Sequence, residues 1–205
     1  IKVASLNCAG LKSHSVDILD DKKLLYADII HLVETSLDTT DHGFLTIPGY
    51  KSHFINVGNG KGIATFYKDE LFNHQEDYVE TNMQITKFSS TELDVINVYR
   101  SSNGHSVELL NHLQDMMTEG KSLLITGDFN ICFNTISNNR MSKGLKKIGF
   151  SQMMKEATHI RGGHIDHVYW KDEKDVWMNP QLERYSPYYS DHDASCITLV
   201  KKKQS

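Results

Sequence analysis

Apolar residues fall along this chain in short runs, many of them rich in Val, Ile, Leu and Phe and bounded by Gly, Asn, Asp or Ser, which is the pattern of strands. The runs predict strands over Lys2–Leu6, Asp28–Val33, Tyr50–Ile55, Gly62–Tyr67, Gln84–Phe88, Leu93–Tyr99, Ser122–Thr126, Ile165–Trp170 and Ala194–Val200. Helical spacing replaces alternation over His105–Thr118, where Val107, Leu110, Leu113 and Met117, with Leu109 and Met116, share one broad face. A second helix is expected over Val16–Tyr26, where Ile18, Leu19, Leu25 and Tyr26 can share a side. The central strands are apolar on both faces, so helices must cover sheets, and the expected fold is an α/β layered sandwich.

Neither an internal repeat nor a low-complexity segment interrupts the pattern, so one continuous domain over residues 1–200 is expected, followed by a basic tail at 201–205. With 205 residues, 39% of them hydrophobic, the chain can bury one sizeable core. A formal charge of −4 excludes nucleic-acid binding by bulk charge, so any such contact must be local. Cys8, Cys132 and Cys196 are odd in number and lack metal-ligand spacing, which predicts reduced thiols rather than a disulfide framework. No apolar run has membrane-spanning length, and the first residues lack the zones of a signal peptide. The chain opens at Ile1 inside an apolar pattern, which suggests a domain cut from a longer polypeptide.

Several polar residues stand where the core pattern does not explain them. "VASL" stops at Asn7, "ADIIHLV" at Glu34, "LDVINV" at Tyr99 with Arg100 behind it, and "LLIT" runs through Gly127 to Asp128 and Asn130. Asp166 opens "IDHVYW", and "SDHDASCITLV" sets Ser190, Asp191 and His192 before its apolar run. In antiparallel sheets the end of one strand lies beside the start of its neighbour, so a single rim can gather all of them. Taken singly, each is an ordinary turn residue. Together they offer oxygen donors for Mg²⁺ or Mn²⁺, with Glu34 best placed, and a His192–Asp166 pair, Asp128 and two amides suited to cleaving a phosphate ester. A zinc site from His164, His167 and His192 is disfavoured, because alternation sends His164 and His167 to opposite faces.

The blocks "VASLNCAGL", "ADIIHLVETSL", "INVYRSSN", "LLITGDFN", "GGHIDHVYW" and "YYSDHDA" together resemble the exonuclease-endonuclease-phosphatase superfamily, which includes pancreatic deoxyribonuclease and the apurinic/apyrimidinic endonucleases. That resemblance implies a four-layered α/β sandwich of two mainly antiparallel sheets with helices outside, and an active site where loops of both sheets meet. It implies that Glu34 is the principal metal ligand, with Asn7 beside it. Tyr99 contacts the scissile phosphate, Asp128 and Asn130 form the Gly-Asp-x-Asn pair, and Asp166 orients His192. Asp191 completes an Asp-His dyad and can help hold a second metal.

Within the superfamily, "SLLITGDFN", "GFSQMMKEATHIRGGHIDHVYW" and "YSPYYSDHDA" resemble endonuclease domains of transposable elements, non-LTR retrotransposons and helitron-like elements among them. The resemblance implies a Mg²⁺-dependent enzyme of the nucleus that nicks one strand of a DNA duplex to leave a 3′ hydroxyl, fused in the full protein to a reverse transcriptase or helicase. It also assigns Thr158 a contact to the DNA backbone. The aromatic blocks of an abasic-sugar pocket and the Pro-x-Trp-Cys-Asp-Arg block of inositol phosphatases are missing. An RNA deadenylase, a lipid or inositol phosphodiesterase and a catalytically silent nucleic-acid-binding module are the alternatives. Target choice is expected in "SSNGH", "NTISNNRMSKGLKK" and "HIRGGH", with Arg100, Arg161 and a basic patch of Arg140, Lys143, Lys146 and Lys147 meeting phosphates.

Overall fold

A computed structural model describes residues 1–132 and 136–204, with the side chains of 136–139 outside that set. Among the described residues twelve strands and four helices run in the order β1 (Lys2–Asn7), α1 (Leu11–Asp20), α2 (Lys22–Leu25), β2 (Ile29–Val33), β3 (Lys51–Ile55), β4 (Ile63–Tyr67), β5 (Asn73–Glu80), β6 (Met83–Ser89), β7 (Leu93–Arg100), α3 (Ser106–Asp115), β8 (Ser122–Asp128), α4 (Ile136–Lys147), β9 (Ser151–Gln152), β10 (Asp166–Lys171), β11 (Gln181–Tyr185) and β12 (Ala194–Thr198). They form two six-stranded sheets, ordered β11-β12-β1-β2-β4-β3 and β5-β6-β7-β8-β10-β9.

Alternation along the strands divides the core into layers. On β1, Ala4 and Leu6 pack outward with Leu11, Ile18 and Leu24 of α1 and α2, while Val3 packs inward with Val95, Leu124 and Val168 of the other sheet. On β8, Leu123 and Ile125 pack outward with Leu109 and Leu113 of α3 and Met141 and Leu145 of α4. The result is helix, sheet, sheet, helix, as the sequence pattern and the resemblance imply.

Each sheet contains one parallel pair among antiparallel neighbours. β1 and β2 run parallel, with Asn7 opposite Val33, and β7 and β8 run parallel, with Tyr99 opposite Asp128. β10 is antiparallel to β8 and starts at Asp166 opposite Asp128, while β12 is antiparallel to β1. Four strand ends and two strand starts therefore reach the same rim. Antiparallel pairing alone brings only the starts there; the two parallel pairs bring Asn7 beside Glu34, and Tyr99 beside Asp128.

β5, β9 and β11 escape the hydrophobic pattern because they are edge or near-edge strands: β5 reads NHQEDYVE and β11 reads QLERY, mostly exposed or half-buried. The stretch expected to be a loop after Asn130 contains helix α4. Its apolar side is thin, with Met141 and Leu145 buried one turn apart, and Gly144 breaks the pattern. A Cβ at Gly144 would stand 2.6 Å from Leu110 Cδ2, so glycine lets α4 close on α3. Residues 134 and 135 of that stretch lie outside the described residues. The expected free tail is tied down at its start: Lys201 pairs with Glu92, and Lys202 Nζ lies 2.6 Å from Asp175. No described helix is long and apolar enough to cross a membrane.

Candidate active site

The same alternation that packs the core builds the site. Along β1 the inward positions are Val3, Ser5 and Asn7, and along β8 they are Leu124, Thr126 and Asp128, so the space between the sheets turns from apolar to polar toward the rim. Asn97 of β7 crosses that space, donating to Ser5 Oγ at 3.1 Å and to Thr126 Oγ1 at 3.0 Å. One step further out, the Asn7 side-chain amide donates to Asp128 Oδ2 at 2.9 Å and also to the Glu34 carboxylate. One amide thus ties an acid from each sheet to the other.

Phe129 takes the outward position and packs among Ile125, Ile131 and Tyr169, anchoring the turn as its place between two polar residues implies. Asn130 follows at φ 51°, and its backbone N–H donates to Asp128 Oδ1 at 2.9 Å. Glu34 also lies at positive φ, 56°, a strained conformation for a non-glycine residue and one often kept at functional sites. Gly127 is glycine for a packing reason. Its φ is 140°, and a Cβ there would stand 2.0 Å from Val98 O on β7, so the residue lets two parallel strands meet beside the site.

On the far side of Asp128, His192 Nδ1 lies 2.8 Å from Asp166 Oδ2, and His192 Nε2 faces Asp128 Oδ2 at 3.9 Å. Thr158 is fully buried, and its hydroxyl donates to Asp166 Oδ2 at 2.7 Å while accepting from the Asp166 N–H at 3.1 Å. The expected backbone-contacting threonine is therefore turned inward as the orienter of Asp166. Ser190, expected at the rim, is found there, and His159, which was not among the expected residues, joins it. Ser190 Oγ donates to Asn7 O at 2.6 Å and accepts from the His192 N–H at 3.2 Å; His159 Nε2 lies 3.0 Å from Asp191. Asp191 is half exposed, facing His159 with one carboxylate oxygen and standing 4.0 Å from His192 Nε2 with the other. "YYSDHDA" carried a signal for Ser190; nothing in the local pattern marked His159.

Burial and crowded acids shift the titrations. Burial first, then the Asp166 charge, raises Asp128 to about 8, and burial likewise raises Glu34 against the opposing Asn7 hydrogen bond. For His192 burial works against the charged form, but the Asp166 hydrogen bond and charge prevail and raise it to about 9. Burial together with the Glu34 and Asp128 charges keeps the Tyr99 phenol protonated. Ligand atoms of Glu34, Asp128 and His192 lie within 4.8 Å of one another. A half-buried Glu34 carboxylate beside the buried Asp128 carboxylate is a donor set a hard divalent ion fits.

The expected DNA-contacting residues divide sharply. Arg100 is buried, with Nε donating to Phe129 O at 2.7 Å, Nη2 to Asn130 O at 3.0 Å and Nη1 to Gly104 O. Its position on β7 points outward from the inter-sheet layer, so it braces the Asp128–Asn130 turn instead of facing a backbone. Arg161 is exposed on the turn after His159. Arg140, Lys143, Lys146 and Lys147 lie exposed on α4, but that helix runs away from the rim. It leads to Ser151, opposite Trp170, which itself lies opposite Leu124, four residues before Asp128. At about 3.3 Å per strand residue, the Lys146–Lys147 end sits roughly 13 Å down the sheet from the site. The zinc alternative fails too: His167 stacks on Phe129 in the outer layer and His192 lies inward on Asp166.

Solved structures share this architecture. A 3′-5′ exonuclease from Neisseria meningitidis is similar over 97% of this chain and 99% of that one, at 17% identity and a TM-score of 0.73. An AP endonuclease from Archaeoglobus fulgidus matches over 97% and 98%, at 14% identity and a TM-score of 0.71. The endonuclease domain of TRAS1, a telomere-specific non-LTR retrotransposon, matches over 96% of both chains, at 13% identity and a TM-score of 0.68. No curated protein sequence matches significantly. A family model matches residues 4–192, from the first strand to the histidine held by Asp166, and the chain belongs to the Endonuclease/Exonuclease/phosphatase family.

Proposed function

We propose that the domain is a metal-dependent endodeoxyribonuclease that nicks one strand of duplex DNA, of the kind mobile elements carry. The observation that carries this reading is the Asn7 amide joining Glu34 and Asp128 across the two sheets, beside a His192 held by Asp166. Likeness to the TRAS1 endonuclease domain and to an AP endonuclease supports DNA as the substrate. The turn carrying Arg161 and a largely exposed Ile160 stands beside Asp191 and offers a cation and an apolar tip to a duplex. In the whole protein, further domains such as a reverse transcriptase or helicase and a nuclear site of action complete the proposal.

Glu34 and Asn7 would hold Mg²⁺ or Mn²⁺, with Asp191 within reach of a second ion. When bound, the ion offsets the charge of the phosphate oxygens. The chain's own residues do the remainder. The ionised form of Asp128, made a stronger base by burial, accepts a proton from the attacking water, whose oxygen forms the new bond to phosphorus as the bond to the 3′ oxygen breaks, and that oxygen leaves as a hydroxyl with a proton from solvent. His192 stays protonated near neutral pH and faces the phosphate as a cation, held in register by Asp166. Tyr99, protonated, offers a donor from the same rim. Asn130 positions the phosphate oxygens.

The test is conversion of supercoiled plasmid to nicked circles with Mg²⁺, against Asp128→Asn and His192→Gln. Each substitution should slow nicking by about 10²–10⁴-fold. A folded parent that leaves plasmid intact but releases phosphate from a 3′-phosphorylated DNA end or a phosphoinositide, or AMP from poly(A), would replace this reading with another phosphoesterase activity. Mg²⁺-independent DNA binding without turnover would replace it with a binding module.

A further inference from the structure

The open edge of the sandwich, away from the rim, carries a second cluster of ligating side chains. β3 and β5 are edge strands of different sheets, and nothing in the strand order joins them. Across that gap His53 Nε2 of β3 lies 2.6 Å from Asp77 Oδ2 of β5, and His74 Nε2 of β5 lies 2.8 Å from Asp77 Oδ1. The two imidazoles stack at 3.8 Å between centroids and 24° between planes, with Phe88 beneath both.

Ordinary strand geometry does not produce this. His74 and Asp77 are three residues apart, and alternation sends such a pair to opposite faces. The pairing of β5 with β6 slips between His74 and Glu76, a bulge that restores both side chains to one face. Bulges that re-aim a side chain are found beside functional sites.

We propose that His53, His74 and Asp77 form a binding site for a divalent transition metal, Zn²⁺ by ligand type, which staples the two sheets together at this edge. Their ligand atoms lie within 4.8 Å of one another. Two imidazoles and a carboxylate select zinc over magnesium or calcium, and three protein ligands leave a fourth position for water. Tetrahedral ligands about 2.0–2.1 Å from zinc stand roughly 3.3 Å apart, so the ion enters by spreading the present contacts a little over half an ångström. All three side chains keep about a quarter of their surface in solvent, at 26%, 28% and 21%, which supplies both the room and an entry path. Thr86 Oγ1 donates to Asp77 Oδ1 at 2.7 Å and fixes the carboxylate from behind, the supporting hydrogen bond that metal-binding carboxylates commonly have.

The site is separate from the catalytic one. His53 lies opposite Thr65, which lies opposite His31, so it is two strands across and three residues back from Glu34, on the order of 14 Å away. Chemistry separates them too, since the rim is dominated by carboxylate and amide oxygens.

The experiment is equilibrium dialysis of chelator-stripped full-length domain against Zn²⁺, with Co²⁺ as a spectroscopic probe. The parent, the rim variant Glu34→Gln, and His53→Gln, His74→Gln and Asp77→Asn are compared, with far-ultraviolet circular dichroism confirming that each is folded. One equivalent retained by Glu34→Gln, giving the intense visible absorption of tetrahedral Co²⁺ and raising Tm, and lost from both His→Gln variants, is the expected result. Asp77→Asn should weaken binding by at least tenfold while leaving the chain folded. Absence of bound Zn²⁺ in folded Glu34→Gln protein, or an equivalent that survives both His→Gln substitutions, would overturn the proposal.

Discussion

Thr158 offers the sharpest separation between a residue that touches DNA and one that aims a catalytic pair. Its hydroxyl holds the Asp166 carboxylate at 2.7 Å and the Asp166 N–H at 3.1 Å, in a fully buried position. Thr158→Val preserves the volume and deletes both bonds. A hydrogen bond to a charged partner contributes about 1.5–3 kcal/mol, and a buried N–H left without a partner costs about 1–3 kcal/mol. The two are not fully additive, so the expected loss is about 3 kcal/mol, which lowers Tm by roughly 6–12 °C in a domain of this size. With Asp166 loosened, His192 loses its orientation, and kcat should fall by roughly 10–100-fold with KM unchanged. Thermal denaturation and steady-state nicking measure the two effects, and Thr158→Ser should recover most of both. A Thr158→Val protein with parental Tm, a raised KM and a shallower dependence of nicking on salt would refute the argument and return the hydroxyl to the DNA backbone.

Other parts of the frame make equally direct predictions. Gly127→Ala puts a Cβ into Val98 O across the parallel β7–β8 pair, and should cost about 3 kcal/mol or more, at or above the upper end of what overpacking a buried site costs, read as loss of soluble protein; parental Tm would refute it. Arg100→Met should destabilise the chain and lower kcat without altering the salt dependence, because its guanidinium holds three carbonyls. Arg161→Glu should leave Tm in place and reduce the log–log salt slope by about one unit; the reverse assignment would refute the placement of both arginines. Burial pushes His31 down to about 3 and His167 down to about 4, so the unfolded chain binds protons near pH 6.5 that the folded chain refuses. Their contribution is fully present above pH 6.5 and is lost as pH falls, at about 1.4 kcal/mol per pH unit for each. His31→Asn should reduce the slope of unfolding free energy below pH 6.5 by up to about 1.4 kcal/mol per pH unit, and an unchanged slope would show that His31 is already charged.

The fold and the gathering of polar residues at one rim were legible because both rest on period-two alternation. Strands with a buried face announce themselves, and their polar terminal residues stand out against that background: Asn7, Glu34, Asp128, Asp166 and His192 all end or precede such strands. β5 and β11 did not, because an edge strand with one face in water needs no apolar period. Helix α4 was hidden by Gly144, which serves a contact with Leu110 that lies 34 positions away in sequence and outside any local window. Direction was the other loss. Period two tells which face a side chain takes only once the register is known, so Arg100 and Thr158 could be placed near the rim without revealing that both are buried against other residues of the chain. The basic run after Asn130 was legible as a patch, but composition does not show which pole of the sheet a helix carries it to.

The polar gradient between the sheets leads to a crowd of acids at the rim. Asn7, Asn97, Ser5 and Thr126 neutralise nothing; they are dipoles leading to Glu34 and Asp128, whose carboxyl groups are both raised by burial, with neighbouring acids adding to the effect. His192 is the cation facing them, and it is already held by Asp166. A site arranged for a bound cation should therefore be strained without one. Glu34→Gln keeps an oxygen for the Asn7 amide and removes one acid from the crowd. In chelator it should stabilise the chain by roughly 0.5–2 kcal/mol, the scale typical of relieving a functional site, and raise Tm by about 2–4 °C per kcal/mol. Added Mg²⁺ should raise the parental Tm, leave the variant's unchanged, and restore nicking only to the parent. A variant less stable than the parent in chelator would mean that the Glu34–Asn7–Asp128 bridge is a structural brace whose hydrogen bonds outweigh its charge, and the electrostatic account of the rim would fail with it.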